Sequence, residues 1–355
     1  MKENSAMVDA PRSQLTRRAF GFGASALASA AALGFKRARA QTATCVVGTW
    51  GGDYQNLLDA NIVKPLLEPK GVGVQWDVAA QGPRKNKLIA ERRLPRGTLD
   101  IACLSDVDMY DISLSGALDT LDESKVANLK NAVPALRHAY SVPHIYSGMV
   151  LVYNPAHAEP KAYADLWDEK YRGKIGIVDL LFTQILIVAT VAAGGTPSDF
   201  EPGKKKLIEL KKLGVRVLPS NEAMAQALQS GEVWITPMWR ARCVQWQNAG
   251  IPITNVAPAE GAIPILFEFG VPKNAPNKDG AYAFLNASLE PAAQIGFAQK
   301  MGYAPTVANA QLPPEQAQKL TFNAAEQAKL VKTDYDYVAK EYQNLKQWWD
   351  REFLA

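Results

Sequence analysis

Three histidines and three cysteines set against 35 carboxylates are the raw material for chemistry in this 355-residue chain. Their spacing excludes most of it. No Cys-x-x-Cys or Cys/His cluster stands at zinc spacing, and no His-Glu-x-x-His, Gly-x-Ser-x-Gly or phosphate-cradling Gly-x-x-x-x-Gly-Lys-[Ser/Thr] occurs. "GFGASA" (Gly21, Gly23, Ala26) fits a loose dinucleotide fingerprint but has no strand before it. His138, His144 and His157 lie in loop-like segments without a spaced carboxylate or thiol, so they read as surface or turn residues. Asp106 and Asp108 could share acid/base work, yet polar residues at the end of a strand serve binding equally well. No catalytic constellation, cofactor motif or metal cluster is read.

The chain is rich instead in aromatic and polar residues where strands end. These are Trp50 and Tyr54 around Gly51 and Gly52, Ser105 with Asp106, Tyr146 with Ser147, Asp179, Trp239 with Arg240, and Phe267 with Glu268. Open α/β sheets bind ligands beyond the carboxyl ends of their strands, and two facing lobes would converge these residues on one cleft. Each also has a plain structural role open to it. Trp239 and Phe267 suit a strand core, Arg240 a surface acid, Asp179 a helix cap, and Trp50 and Tyr54 a helix–sheet seam. Taken together, such strand ends favour a site. Gly51 and Gly52 would let backbone approach the ligand, and the free N–H groups of a helix starting near Asp53 could take an anionic group.

The elements that would position these residues follow from periodicity. Residues 45–49 read as a strand, followed by a helix with Leu57, Leu58, Ile62 and Leu66 on one face. Val74, Trp76 and Val78 alternate as a strand, 85–91 reads as a helix and 100–104 as a strand, a βαβαβ unit with a parallel sheet. A second unit has strands at 173–179, 215–218 and 233–238. Its helices lie at 180–193, at 203–213 with five lysines on a solvated face, and after a cap at Ser220 or Asn221, where Met224 and Leu228 point inward and Gly231 ends the helix. Beyond Ala275 the chain is mainly helical, and Trp348 and Trp349 anchor a terminal helix.

Residues 1–40 stand apart. Arg17-Arg18, a short apolar run to Phe35 and Ala38-Arg39-Ala40 read as a twin-arginine export signal cleaved before Gln41. Of the 39 lysines and arginines and 35 acids, seven and two lie in this stretch, so the remainder carries 32 against 33. The basic character belongs to the signal, which removes the support for nucleic-acid binding. No other stretch is long and apolar enough to span a bilayer. Cys45 follows Thr-Ala-Thr, which is no lipobox. Cys45 and Cys103 fall in strands that could be neighbours; two buried thiols are preferred over a disulfide, which stays open.

In order along the chain, "TWGGDYQNLL", "LDIACLSDVDMY", "VPHIYSGMVLVYNP", "ADLWDEKYRGKIGIVD", "SGEVWITPMWRARCVQWQNAG" and "EGAIPILFEFGVPKNAPNKDGAYAFLNASLEPAAQIGFAQKMGYAPT" resemble the periplasmic solute-binding proteins of ABC importers, in the spermidine/putrescine-binding branch. The resemblance implies an α/β clamshell of two lobes, each a mainly parallel sheet flanked by helices. Two crossing strands at 149–153 and 266–271 would join them, with the last helices returning to the first lobe. The segments become a signal (1–40), a first lobe (41–150), a second lobe (151–266) and a return to the first (267–355). It further implies a periplasmic receptor, not an enzyme, that closes on a solute and docks on a membrane permease, most simply as a monomer. Polyamine binders of this branch carry Trp-x-Asp before the second crossing; Ile265 and Phe267 stand there, with Glu268 one residue on and facing the other side of the strand. Tyr146 keeps the aromatic before the first crossing and Asp179 a possible acid. Trp239 matches a stacking Trp, but Arg240 beside it would repel a diamine and offer a fork to a carboxylate. The expected solute is therefore a carboxylate or an amino-acid-like zwitterion, with a polyamine as the alternative; ferric iron, or an enzyme on a similar fold, ranks behind.

Overall fold

The computed structural model describes residues 44–355, and the export signal read over residues 1–40 lies outside the described residues. Strand β1 (Cys45–Thr49) leads through Gly52, whose φ of 64° suits a residue without Cβ, into α1 (Asp53–Leu58), which continues as wider turns over Asp59–Leu67. Then come β2 (Val74–Val78), α2 (Gln81–Glu91), β3 (Ile101–Ser105) and α3 (Asp106–Leu114). β2, β1 and β3 pair in parallel, the geometry that crossover helices impose. The expected βαβαβ unit is therefore present, and α2 starts four residues before its periodicity suggests because the polar Gln81 and Gly82 precede its apolar face.

The long strand β4 (Val142–Tyr153) is almost unbroken apolar sequence, the pattern of a strand covered on both faces. After it follow β5 (Gly176–Val178), α4 (Phe182–Ala192), α5 (Glu201–Lys212), β6 (Arg216–Leu218), α6 (Asn221–Gln229), β7 (Ile235–Trp239), α7 (Arg240–Asn248) and β8 (Thr254–Val256). Ser220 caps α6 by accepting from the Ala223 N–H at 3.1 Å, and Met224 and Leu228 are buried as their spacing requires. Strand β9 (Ile263–Gly270) precedes α8 (Lys278–Ser288), α9 (Pro291–Met301), β10 (Ala304–Pro305), α10 (Pro314–Leu320), α11 (Ala324–Ala328) and α12 (Tyr335–Trp348).

The crossing runs through β4 and β9. β9 lies antiparallel between β3 and β4, and the far end of β4 pairs with β7 and β8, so one strand serves two bodies of structure. One apolar core gathers β1, β3, α8 and α9; another gathers the far half of β4, α4, α5 and β7. Asp100, fully buried, accepts from the Val46 N–H at 2.7 Å and the Asn277 N–H at 2.5 Å, tying β3 to its neighbour strand and to the start of α8.

Three expectations are corrected. His144 lies inside β4 and is buried, because "VPHIY" continues the apolar run and its ring packs on Phe269 and Phe297 at centroid distances of 4.6 and 4.5 Å. His138 is half-buried and bonded to Glu268 rather than free at a surface. The last helix, expected on the first lobe, packs in the core of the second: Val338, Leu345, Trp349 and Phe353 join α4 and α5, and Phe182 stands 6.0 Å from Trp349. The physical reason is α4, whose "ILIVATVA" is apolar all round and needs a cover on its outer side. Cys45 and Cys103 are both free and buried.

Candidate functional site

A cleft of about 690 Å³ opens between the two bodies. The sequence that ends β1 turns at Gly52 and places Trp50 and Tyr54 on one wall. Trp50 meets Tyr54 and Phe267 edge-to-face at 5.1 and 5.3 Å, and Phe267 meets Tyr303 the same way at 5.6 Å. Such chains hold ring orientation as well as bury area. Behind Trp50, the buried Arg84 lies 5.2 Å from the ring centroid and donates to the carbonyls of Ala79 and Cys103, both at 2.6 Å. The Tyr54 hydroxyl is 2.7 Å from Nδ1 of His144 and 3.2 Å from Sγ of Cys103. Burial pushes the His144 pKa down to about 3, so the ring that steadies Tyr54 is neutral.

At the end of β3, Ser105 and Asp106 reach the cleft floor. Gln81 clamps Ser105, accepting from its N–H and donating to its Oγ, both at 3.0 Å, and also bonds Asp108. Asp106, almost wholly buried, accepts from the Val107 N–H and from the Tyr335 hydroxyl, each at 2.9 Å. Burial and the nearby charge of Glu268 raise its pKa to about 7, against the pull of those donors. Asp108 is bridged to Lys85 at 2.9 Å. The facing wall comes from Trp239 at the end of β7, from Leu180 to Gln184 around the start of α4, and from Tyr342 on α12. Asn221, first residue of α6, also lines it, and its Oδ1 is buried without a partner.

Of the residues singled out in the sequence, Trp50, Tyr54, Ser105, Asp106, Trp239 and Phe267 line this cleft together. The others do not. A Cβ on Gly51 would stand 2.9 Å from Val78, so that glycine serves the packing of β1 against β2. Tyr146 is buried beside Phe322. Asp179 accepts from the Trp349 indole N–H at 2.7 Å and so anchors the terminal helix. Arg240 turns into a separate polar cavity of about 780 Å³. There it donates to the Thr321 carbonyl and to Glu326, and its guanidinium lies 3.9 Å from the Phe322 ring centroid. Glu268 is fully buried on the rear face of β9, bonded to His138 at 2.8 Å and to Ser141. Gln81, Asn221, Tyr303 and Tyr342 were missed by the sequence reading. The strand-end rule applied to β2 and β6 would have found the first two; the tyrosines arrive on distant helical segments and carry no local signal.

The charged side chains lining the cleft are Asp106 and Asp108. Among the described residues no group of three or more His, Cys, Asp or Glu could hold a metal ion, and no helix is long and apolar enough to cross a membrane.

An α/β chain whose two bodies share crossing strands and face each other across an aromatic cleft has the two-lobe architecture of periplasmic binding proteins. The fold is shared with an ABC transporter protein of Clostridium perfringens (TM-score 0.78, 23% identity, 86% of this chain and 99% of that one). It is shared also with the spermidine/putrescine ABC transporter substrate-binding protein of Streptococcus pneumoniae (TM-score 0.71, 23% identity, 86% and 98%). Residues 61–324 match the bacterial extracellular solute-binding proteins, and the chain belongs to that family. It is 29% identical over 220 residues to the spermidine/putrescine-binding periplasmic protein of Escherichia coli. That match takes in 58% of this chain and spans about 63% of the relative's length.

Proposed function

We propose that the protein is the periplasmic receptor of an ABC importer and that its cleft captures a small cationic amine of the diamine or polyamine class. The observation that carries this reading is the charge of the lining: aromatic walls surround carboxylates, and Arg240, which made a carboxylate solute attractive in the sequence, points into another cavity. With Asp108 already paired to Lys85, Asp106 is the acid left to meet an ammonium, and Trp50, Phe267 and Trp239 offer faces to the alkyl chain and its cationic ends. Asn221 Oδ1 adds an unpartnered acceptor. The polyamine-binding relative supports the same class of solute.

The division read in the sequence fits this role, with lobes at 41–150 and 151–266 closing about β4 and β9. Residues 267–355 mostly return to the first lobe, while α12 stays with the second. A monomer exported through the signal at 1–40 would deliver the closed form to a permease without performing catalysis. Calorimetric titration of the chain from Gln41 onward with putrescine, spermidine, γ-aminobutyrate and succinate tests the solute class. Saturable heat with the amines alone is expected. Binding of succinate or γ-aminobutyrate with silence from both amines would overturn the amine reading and restore the carboxylate or zwitterion.

A further inference from the structure

Asp106 sits in the wall between two cavities. On one side is the cleft; on the other, behind β9, is a second cavity of about 560 Å³ lined by Asp106, His138, Leu266 and Tyr335. The alternation of β9 explains the wall: Ile265 and Phe267 face the cleft, while Pro264 and Leu266 face the rear, the side on which Glu268 also falls. Two carboxylates, Asp106 and Glu268, are thus buried close together, and among the described residues no lysine or arginine forms an ion pair with either. Glu268 Oε1 is held by His138 and Ser141, and its Oε2 has no partner. A buried acid beside a second carboxylate holds a proton more readily than it would alone, and Asp106 stands in that position beside Glu268, whose charge His138 offsets only in part.

Tyr335 closes the cluster from outside. Asp334, just before it, accepts from Ser198 Oγ at 2.6 Å, and the Phe200 N–H donates to the Tyr337 hydroxyl at 3.2 Å, so the start of α12 is fixed on the second body. From that anchorage Tyr335 reaches across to the first, stacking on Tyr110 at 5.6 Å and donating to Asp106 Oδ2. We propose that Tyr335 is a positioning residue for the Asp106 carboxylate, and that the buried Asp106–Glu268–His138 cluster gives up a proton to solvent when the cleft takes up a positively charged amine. This rests on the amine reading of the cleft and adds to it a proton that must leave before the ammonium can pair with Asp106.

The groups facing Asp106 set where the exchange occurs. From β9 comes Glu268, whose charge favours the protonated acid; from the segment before β4 come His138 and Tyr140, and from α12 Tyr335. Asp108 on its own helix is occupied by Lys85. Burial opposes the charged form of His138, but the hydrogen bond and field of Glu268 outweigh it and raise its pKa, so His138 offsets part of the Glu268 charge. The Tyr335 hydroxyl and the N–H groups of Val107 and Leu266 favour the ionised form of Asp106.

The test is calorimetric titration with putrescine between pH 5 and pH 8.5, in pairs of buffers with different ionisation enthalpies. With Asp106 titrating at about 7 in the empty cleft, affinity should be nearly flat above pH 8 and fall about tenfold per pH unit below pH 6, with close to one proton released per putrescine at pH 6. Tyr335→Phe should move the break in this profile to higher pH and Glu268→Gln to lower pH, shifts that a merely structural role would not produce. A flat profile in the wild type, zero proton release at pH 6, or a break unmoved in both variants would overturn the proposal while leaving amine binding intact. Absence of putrescine heat at every pH would instead overturn the amine reading, and this proposal with it. The buffer-dependent heat needs only the wild-type protein, so the test survives a variant that does not fold.

Discussion

Replacing Arg240 by alanine separates the two roles proposed for it, as an anchor of the chain and as the anionic solute's partner. In the structure the guanidinium is almost wholly buried, donates to the Thr321 carbonyl and to Glu326, and covers the Phe322 ring. Hydrogen bonds from a charged donor contribute about 1.5–3 kcal/mol and a desolvated cation–π contact about 2 kcal/mol, but Glu326 is partly exposed and regains water once Arg240 is gone. The net loss should be about 2–4 kcal/mol. For a chain of this length that corresponds to a fall in Tm of roughly 3–6 °C by scanning calorimetry. Affinity for putrescine should change less than about threefold, well under the 1.4 kcal/mol that a tenfold change requires. An unchanged Tm together with tenfold weaker binding of any solute would refute the reasoning, because it would place the guanidinium at the ligand.

Further outcomes follow from the same geometry. Trp50→Ala should weaken putrescine at least about tenfold in calorimetric titration, since one substitution removes an aromatic face and the ring against which Tyr54 and Phe267 are set, whereas Trp50→Phe should retain most of the affinity; equal losses in both would count against a stacking role. Asp106→Asn should lower putrescine affinity yet raise the stability of the empty protein at pH 8. The acid's folded pKa of about 7 lies above its ordinary 3.8, so its contribution is intact below pH 3.8 and lost as pH rises through 7; the variant's gain at pH 8 should reach up to about 4 kcal/mol and vanish near pH 4. A variant no more stable at pH 8 than at pH 4 would contradict this. Burial pushes the Cys103 thiol up to about 12, and Cys45 and Cys243 are raised and buried as well, so a thiol reagent at pH 8 should label the folded protein only at its rate of opening. Rapid labelling of the native chain would show these thiols to be more accessible than the structure has them.

The first βαβαβ unit was legible to the residue in β1 and β2 because each apolar run is bounded by turn residues and carries a single period. The cleft was half legible for a related reason: the strand-end rule says where a residue stands but not where its side chain turns. Trp50, Tyr54 and Trp239 turn inward, while Asp179 and Arg240, equally well placed in the sequence, are claimed by Trp349 and by Thr321 with Glu326. Those partners lie 170 and 81 to 86 positions away, on segments whose docking the local sequence does not announce. The same remoteness hid the terminal helix. Its apolar stripe at Val338, Leu345 and Trp349 needs a core, and either body offers one; the all-apolar α4 decides between them only once the fold is formed.

One buried cation opposes the amine reading and has to be weighed: Arg84 lies behind Trp50. A solute on the open face of that ring would stand about 9 Å from the guanidinium, taking its 5.2 Å to the centroid and an ordinary stacking distance. At an effective dielectric of 20 the repulsion of an ammonium there is about 2 kcal/mol, whereas an ammonium about 4 Å from Asp106 gains about 4 kcal/mol. The carbonyls of Ala79 and Cys103 face the guanidinium and reduce its field further. The acid therefore wins at a pH where it is ionised, by a margin close to the influence of one proton. When Asp106 is protonated its attraction is lost while the repulsion from Arg84 remains, and the balance reverses. A cleft built this way is selective for cations only above the pH at which Asp106 loses its proton, and at pH 5 its discrimination between putrescine and γ-aminobutyrate should shrink or invert. Undiminished preference for putrescine at pH 5 would mean that a group other than Asp106 carries the selection.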